Sequence, residues 1–494
     1  MANEKDGHEQ ARPRLVVAPD HQAVTRRQFI GQGLLSSAGY FMAPSLMTLL
    51  AREAFGACPT PGADPGYLPF MVIDCAGGAG LSGNFVVGGQ AGAQDYLTSY
   101  NTLGIPSGLS PSLAGSVDTQ FGAPLWNGAG QNVAGVPANG VSQIRAGMLS
   151  VMGAQAIGGT SIITICNSSQ DDTETNPLSP LIIVSKAGYR GGIITAGIGT
   201  TSGPAGGNST TPLFHSTLTP TFVSGVNTIA NTLSFGGAIR GFSSAQKTAL
   251  TKALLSLNTA QATQLQAMSQ GDQLKELTNC AYTANQLYAP GVGNIVDARL
   301  NAVMQSVYGI TATSNNTNAI RASITYNVLA NNTGPGCITI GGCDYHGNDR
   351  VTVTDPKDFE IGRELGRVLE AAARMGKAVV VAGITDGAVV SDTTPNAAGF
   401  MQWSGDSGGR SLAFMACYKP TGKPTILKSQ IGYYTSGQVA DRASFFGNNP
   451  AQVSYVILAN YLRLCGKDPA QVIPNVISAG TFNTAQLPNV LGFG

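Results

Sequence analysis

Histidine is nearly absent from this chain, with four residues in 494. His8 and His21 lie near the N-terminus, so only His215 and His346 are left for the rest. A centre built from several imidazoles is therefore excluded. Charge is scarce as well: 11% of residues are ionic and the formal net charge is +1. No basic patch or basic helix occurs, which excludes nucleic acid as a partner. The eight cysteines include no Cys-x-x-Cys spacing, so a zinc ribbon or a thioredoxin-like site is not expected. What is abundant is glycine, at 64 residues, together with Ser, Thr and Asn. With a mean hydropathy of +0.07, this composition suits an exported protein with long neutral loops, or one that packs against others at a surface.

The N-terminus reads as an export signal. Thr25-Arg26-Arg27-Gln28-Phe29-Ile30 is a twin-arginine element. A weakly apolar stretch follows from Gly31 to Ala51, interrupted by Gly, Ser and Pro44 and so poor as a membrane span. Ala54-Phe55-Gly56-Ala57 supplies small residues for cleavage. Residues 1–57 are expected to be a Tat signal peptide handled by the Tat machinery, with the product in the periplasm or at the cell surface. Cys58 is placed for a lipid anchor, although Phe55 stands where Leu is usual; ordinary cleavage is the favoured alternative. Tat export carries folded chains, often with a cofactor already inserted. Cysteines can pair in an oxidising compartment, and Cys337 and Cys343 are spaced to close a small loop.

Residues 58–494 are long enough for one large domain or two ordinary ones. Strands are expected at Pro69–Asp74, Ser161–Cys166, Cys337–Ile340, Ala378–Ile384 and Ser411–Ala416, with further apolar runs at Leu181–Val184 and Gly192–Thr195. Leu250, Leu254 and Leu257 repeat as one helical face requires; a helical insertion is read over 243–310. Asp355 and Pro356 open a helix as N-cap and first residue. Ile361, Leu365, Val368 and Leu369 form its face, and Gly376 ends it. Asn449 and Pro450 start another, closed by Gly466. Strand, helix, strand in this order predicts an α/β fold with a mostly parallel central sheet flanked by helices.

Chemistry is expected at the carboxyl ends of the strands, where open α/β sheets bind ligands. Gly341-Gly342-Cys343-Asp344-Tyr345-His346-Gly347-Asn348 sits at such an end. Asp74, Asp386 and Asp406 lie at or just after other strand ends. Carboxylates with one imidazole suit one divalent ion, Mg, Ca or Zn, which polarises a phosphoryl or sulfuryl oxygen or activates water. The plain alternative for Asp344-x-His346, and for each Asp alone, is a turn closed by local hydrogen bonds. The loop Asn167–Ser179 offers hydroxyls at Thr173, Thr175 and Ser179, none of them singled out. His215 sits in a Thr/Ser-rich loop and reads as a surface or packing residue.

The order Gly341–His346, then a helix, then Val379–Gly387 resembles a largely uncharacterised family of Tat-exported bacterial proteins related to the alkaline phosphatase/sulfatase superfamily. Members carry GGWDTH, then SEFGR, then GTDHG. The likeness spans roughly residues 337–475, by motif order, and includes the tail Tyr461–Pro469. It implies an alkaline-phosphatase-like fold and a metal site at Asp344, His346, Asp386, Asp406 and Asp74. The chain departs from the pattern in several places. Thr385-Asp386-Gly387-Ala388-Val389 lacks the Glu and Arg of SEFGR, Ser407 replaces the His of GTDHG, and Ala79-Gly80-Leu81 lacks the usual acid. Three readings follow: a catalytically degenerate member serving as an envelope or surface binding protein, a single-metal phospho- or sulfo-ester hydrolase, or a structural surface protein. Convergence of the five metal candidates separates the second from the others.

Overall fold

The computed structural model describes residues 66–106, 109–112, 115–128, 142–169, 179–189, 191–196, 220–229, 296–385, 387–444, 452–477 and 481–494. The expectations for the leader, Cys58, Thr173, Thr175, His215, Asp386 and the helical pattern at 243–295 fall outside these residues.

Twelve strands occur among the described residues: β1 (Phe70–Cys75), β2 (Val117–Asp118), β3 (Leu125–Trp126), β4 (Thr160–Asn167), β5 (Ile194–Ala196), β6 (Thr221–Phe222), β7 (Gly336–Ile340), β8 (Val379–Thr385), β9 (Val389–Ser391), β10 (Trp403–Asp406), β11 (Ser411–Tyr418) and β12 (Gln430–Ile431). The helices are α1 (Gln143–Leu149), α2 (Ala154–Gly159), α3 (Pro180–Lys186), α4 (Ala302–Tyr308), α5 (Thr317–Leu329), α6 (Asp355–Arg374), α7 (Val453–Leu464), α8 (Pro469–Val476) and α9 (Leu487–Val490). Eight strands form one sheet in the order β12-β4-β11-β8-β1-β7-β5-β6. All pairings are parallel except those of β11, which runs against both β4 and β8. The α/β expectation holds.

Both faces of the sheet are covered, which is why β1, β4, β8 and β11 are buried at every position. Met71, Ile73 and Cys75 of β1 point into a layer with α1, α5 and α6. Phe70 and Val72 point into the opposite layer, with α3 and α7. α6 carries its apolar face, Ile361, Leu365, Val368 and Leu369, into the first layer. Gly376, at φ +64°, ends it as expected.

One local reading needs correction, and two stretches take a form that the sequence left open. Asp355 is not the N-cap of α6. The helix is preceded by a π-helical turn, Arg350–Thr354, whose own cap is the Asp349 side chain accepting from Thr352 N–H. Asp355 is buried and takes a hydrogen bond from Arg350 Nε at 3.1 Å. The run Leu181–Val184 is helix α3, with Pro180 at its first position. The block ending at Tyr308 is a short 3₁₀ turn, Ala298–Leu300, followed by α4, because the Asn301 side chain caps a fresh helix through Val303 and Met304 N–H. Residues 81–160 also hold α1 and α2.

Candidate functional site at the carboxyl edge of the sheet

The parallel strands β1, β4, β7 and β8 end on one edge, and antiparallel β11 begins there. The loops on this edge are tied to one another. Ala76 N–H donates to Ile340 O at 3.1 Å, and Cys343 N–H donates to Ala76 O at 2.9 Å. Thr385 Oγ accepts from Ala79 N–H at 3.0 Å and donates to Gly77 O at 2.9 Å. A β-carbon on Gly77, which has φ +104°, would lie 2.3 Å from Asp344 N, and one on Gly80 would lie 2.6 Å from the Trp403 ring. The first Gly-rich loop is glycine because other chain segments press on it.

The loop 341–348 is shaped from both sides. Gly342 and Gly347 take positive φ. Gly347 N–H donates to Trp403 O, and Trp403 N–H donates to Asn348 O, both at 2.9 Å. Tyr345 is buried against Trp403, with ring centroids 6.2 Å apart. Its hydroxyl donates to Asp358 Oδ1 at 2.6 Å. Asp358 Oδ2 also accepts from Asn84 Nδ2 at 2.7 Å, and Asn84 Oδ1 accepts from Ser142 Oγ and Ile144 N–H. Burial pushes the Asp358 carboxyl up to about 7, against the opposing pull of the Tyr345 and Asn84 hydrogen bonds. Sequence reading missed this network: Asp358, in the first turn of a helix, reads as an ordinary complement to the helix dipole, and its partner Asn84 is 274 residues away.

The alternation that buries Tyr345 turns Asp344 and His346 outward. Asp344 Oδ1 accepts from His346 N–H at 3.2 Å, the local turn foreseen as the plain alternative. His346 Nδ1 lies 3.4 Å from Asp406 Oδ1 of β10, with side chains 51% and 59% exposed. This contact becomes an ion pair when the imidazole takes a proton. Asp74 does not join them at the surface. It is fully buried, follows Val72 toward the α3/α7 layer, and accepts from Thr339 Oγ at 2.9 Å. The structure thus brings His346 and Asp406 together with Asp344 alongside, and sets Asp74 beneath the edge; Asp386 is not among the described residues.

Among the described residues, no three His, Cys, Asp or Glu side chains gather as a metal site. His346 and Asp406 offer two donors on open surface, and Asp344 Oδ1 is already engaged by a backbone N–H. Of the implied ligands, Asp74 lies in the core, away from the surface pair His346 and Asp406. The cysteines also depart from expectation. Cys337 lies in the α3/α7 layer and Cys343 in the α6 layer, so the sheet separates the two thiols that were spaced to pair. Cys343 returns instead to the end of β1, where its N–H meets Ala76 O. The neighbouring Cys343 side chain and burial together push the Cys75 thiol well above the usual range. All six described cysteines are free thiols. Among the described residues no helix is long and apolar enough to cross a membrane.

Comparison of the chain with protein-family models and with curated proteins finds no match.

Proposed function

We propose that this chain is an exported, alkaline-phosphatase-like α/β protein that has lost hydrolytic turnover and serves as an envelope or surface binding protein. The observation that carries this reading is the dispersal of its polar candidates. Asp74 is enclosed in the core, whereas His346 and Asp406 form an open pair on the surface. A hydrolytic centre needs its groups converged and shielded from bulk water, and an open His–Asp–Asp face suits reversible contact with polar groups of a partner. Placement at the carboxyl edge of a mostly parallel sheet supports the ligand role. The Tat-like leader and the neutral, Gly-rich composition support an envelope location.

The same placement keeps a second reading in view, a single-metal phospho- or sulfo-ester hydrolase. Metal content and turnover, measured on wild type beside an Asp344→Ala/His346→Ala double variant, separate the two. The binding reading expects no turnover of aryl phosphate or sulfate esters above background with added Mg²⁺, Ca²⁺ or Zn²⁺, and no stoichiometric metal that the double variant loses. Bound metal and turnover, both lost in the variant, would sink it in favour of the hydrolase. Co-sedimentation of the mature chain with isolated cell envelope is expected to weaken when His346 and Asp406 are replaced by Ala.

A stability prediction accompanies these. Exposed ion pairs contribute little, so His346→Ala and Asp406→Ala should each move the unfolding free energy by less than about 0.5 kcal/mol. Urea titration checks this. A loss of several kcal/mol from either would mean that the pair is structural.

A further inference from the structure

We propose that Cys75 and Cys343 are a latent disulfide that, once oxidised, fastens the loop carrying Asp344 and His346 to the end of β1. This inference does not depend on the binding reading. Three observations place the pair. Cys75 is the last residue of β1, in register with Ile340 at the end of β7. Cys343 returns to that end three residues later: its N–H donates to Ala76 O at 2.9 Å, and its thiol donates to Ile340 O at 3.2 Å. Both side chains are fully buried in the same layer. Cys337 and Cys417 lie in the opposite layer, and Cys465 follows α7, which packs there too. Cys166 shares the layer of Cys75 and Cys343, but its strand β4 is separated from β1 by β11 and β8.

Bond formation requires the sulfurs to approach to about 2.05 Å. The oxidant is a low-molecular-weight or protein disulfide. One thiolate attacks it, expelling one thiol and leaving a mixed disulfide; the second thiolate displaces the remaining half. Two protons and two electrons leave the protein, and the oxidant is reduced to two thiols. Full burial makes the folded dithiol slow to react, so closure occurs during folding or when loop 341–348 opens.

The full-length chain, refolded with oxidised and reduced glutathione, is digested without reduction and its cross-linked peptides are read by mass spectrometry. A Cys75–Cys343 peptide is expected. Relative to the reduced wild type, the oxidised protein should melt higher by roughly 3–5 °C, and amides 344–348 should exchange hydrogen more slowly. Cys343→Ser, or Cys75→Ser if that variant folds better, should lose both differences. Alkylatable thiols at both positions after oxidation, or linkage of Cys343 to another cysteine, would overturn the proposal. The comparison of oxidised with reduced wild type decides the matter even if neither variant folds.

Discussion

Gly362→Val is expected to destabilise the protein by about 3 kcal/mol or more. α6 and α1 cross with their backbones almost touching. A β-carbon on Gly362 would lie 2.0 Å from Ile144 O, and one on Gly147 would lie 2.2 Å from Phe359 O. One turn further along, a β-carbon on Gly366 would meet Val151 Cγ2 at 2.7 Å and Met148 O at 2.8 Å. These contacts are with backbone at most points, so no side-chain rotation relieves them. The helices must separate, which opens the layer that holds Ile361, Leu365, Ile144 and Met148. Gly158→Ala is the control. It lies in α2 with open space where the β-carbon would go, and it should leave stability unchanged or raise it by up to about 1 kcal/mol. Urea or thermal unfolding compares the two. A Gly362→Val midpoint equal to wild type would show that the close crossing is not what holds α1 on α6.

The pH dependence of stability should carry a visible contribution from Asp358. Its folded-state pKa of about 7 lies above the ordinary carboxylate value of about 3.9. Below about pH 4 the proton is bound in both folded and unfolded chains, and Asp358 contributes no slope. From about pH 4 to about pH 7 the unfolded chain ionises while the folded one keeps its proton, so stability falls as pH rises. The loss is about 4 kcal/mol across that window, to order of magnitude, and then levels off. Asp358→Asn removes the titration. Its carbonyl oxygen can still accept from Asn84 Nδ2 while its NH2 faces the Tyr345 hydroxyl, and whatever this exchange costs does not vary with pH over that range. The difference between variant and wild type should therefore swing in the variant's favour by about 4 kcal/mol between pH 4 and pH 7, and the remaining titrating groups cancel in it. A constant difference across that range would place the Asp358 pKa near its ordinary value and refute the shift.

Much of the sheet was legible because its strands are short apolar runs bounded by Gly, Pro and polar loops. β1, β4, β7, β8 and β11 fall within one or two residues of their expected ends. α3 was not legible from periodicity: Leu181–Val184 is buried throughout, and a fully buried run reads the same as strand or helix. Ser179-Pro180 carried the missing signal, as a cap position followed by an N1 proline. Within the site, the sequence placed Asp74, Asp344 and Asp406 at or just after strand ends but could not say which face each side chain takes. Asp74 shows the consequence. The strand runs one residue past it, and parity sends its carboxylate into the core. His346 and Asp406 were singled out separately, and only the fold supplies the 3.4 Å that joins them. The Asp358 network was invisible because its members come from three distant stretches of chain, each unremarkable on its own.

The strand order also constrains how this chain comes into being. β1 is complete at residue 75, yet its two neighbours in the sheet start at residues 336 and 379. β4 waits in the same way for β11 and β12, which lie beyond residue 410. During synthesis the first strands leave the ribosome long before anything exists to pair with them. Non-local pairing of this kind is slow, and it leaves apolar edges exposed in the meantime. The central sheet therefore cannot close until most of the chain has been made, and folding is expected to wait on the strands that come after residue 335.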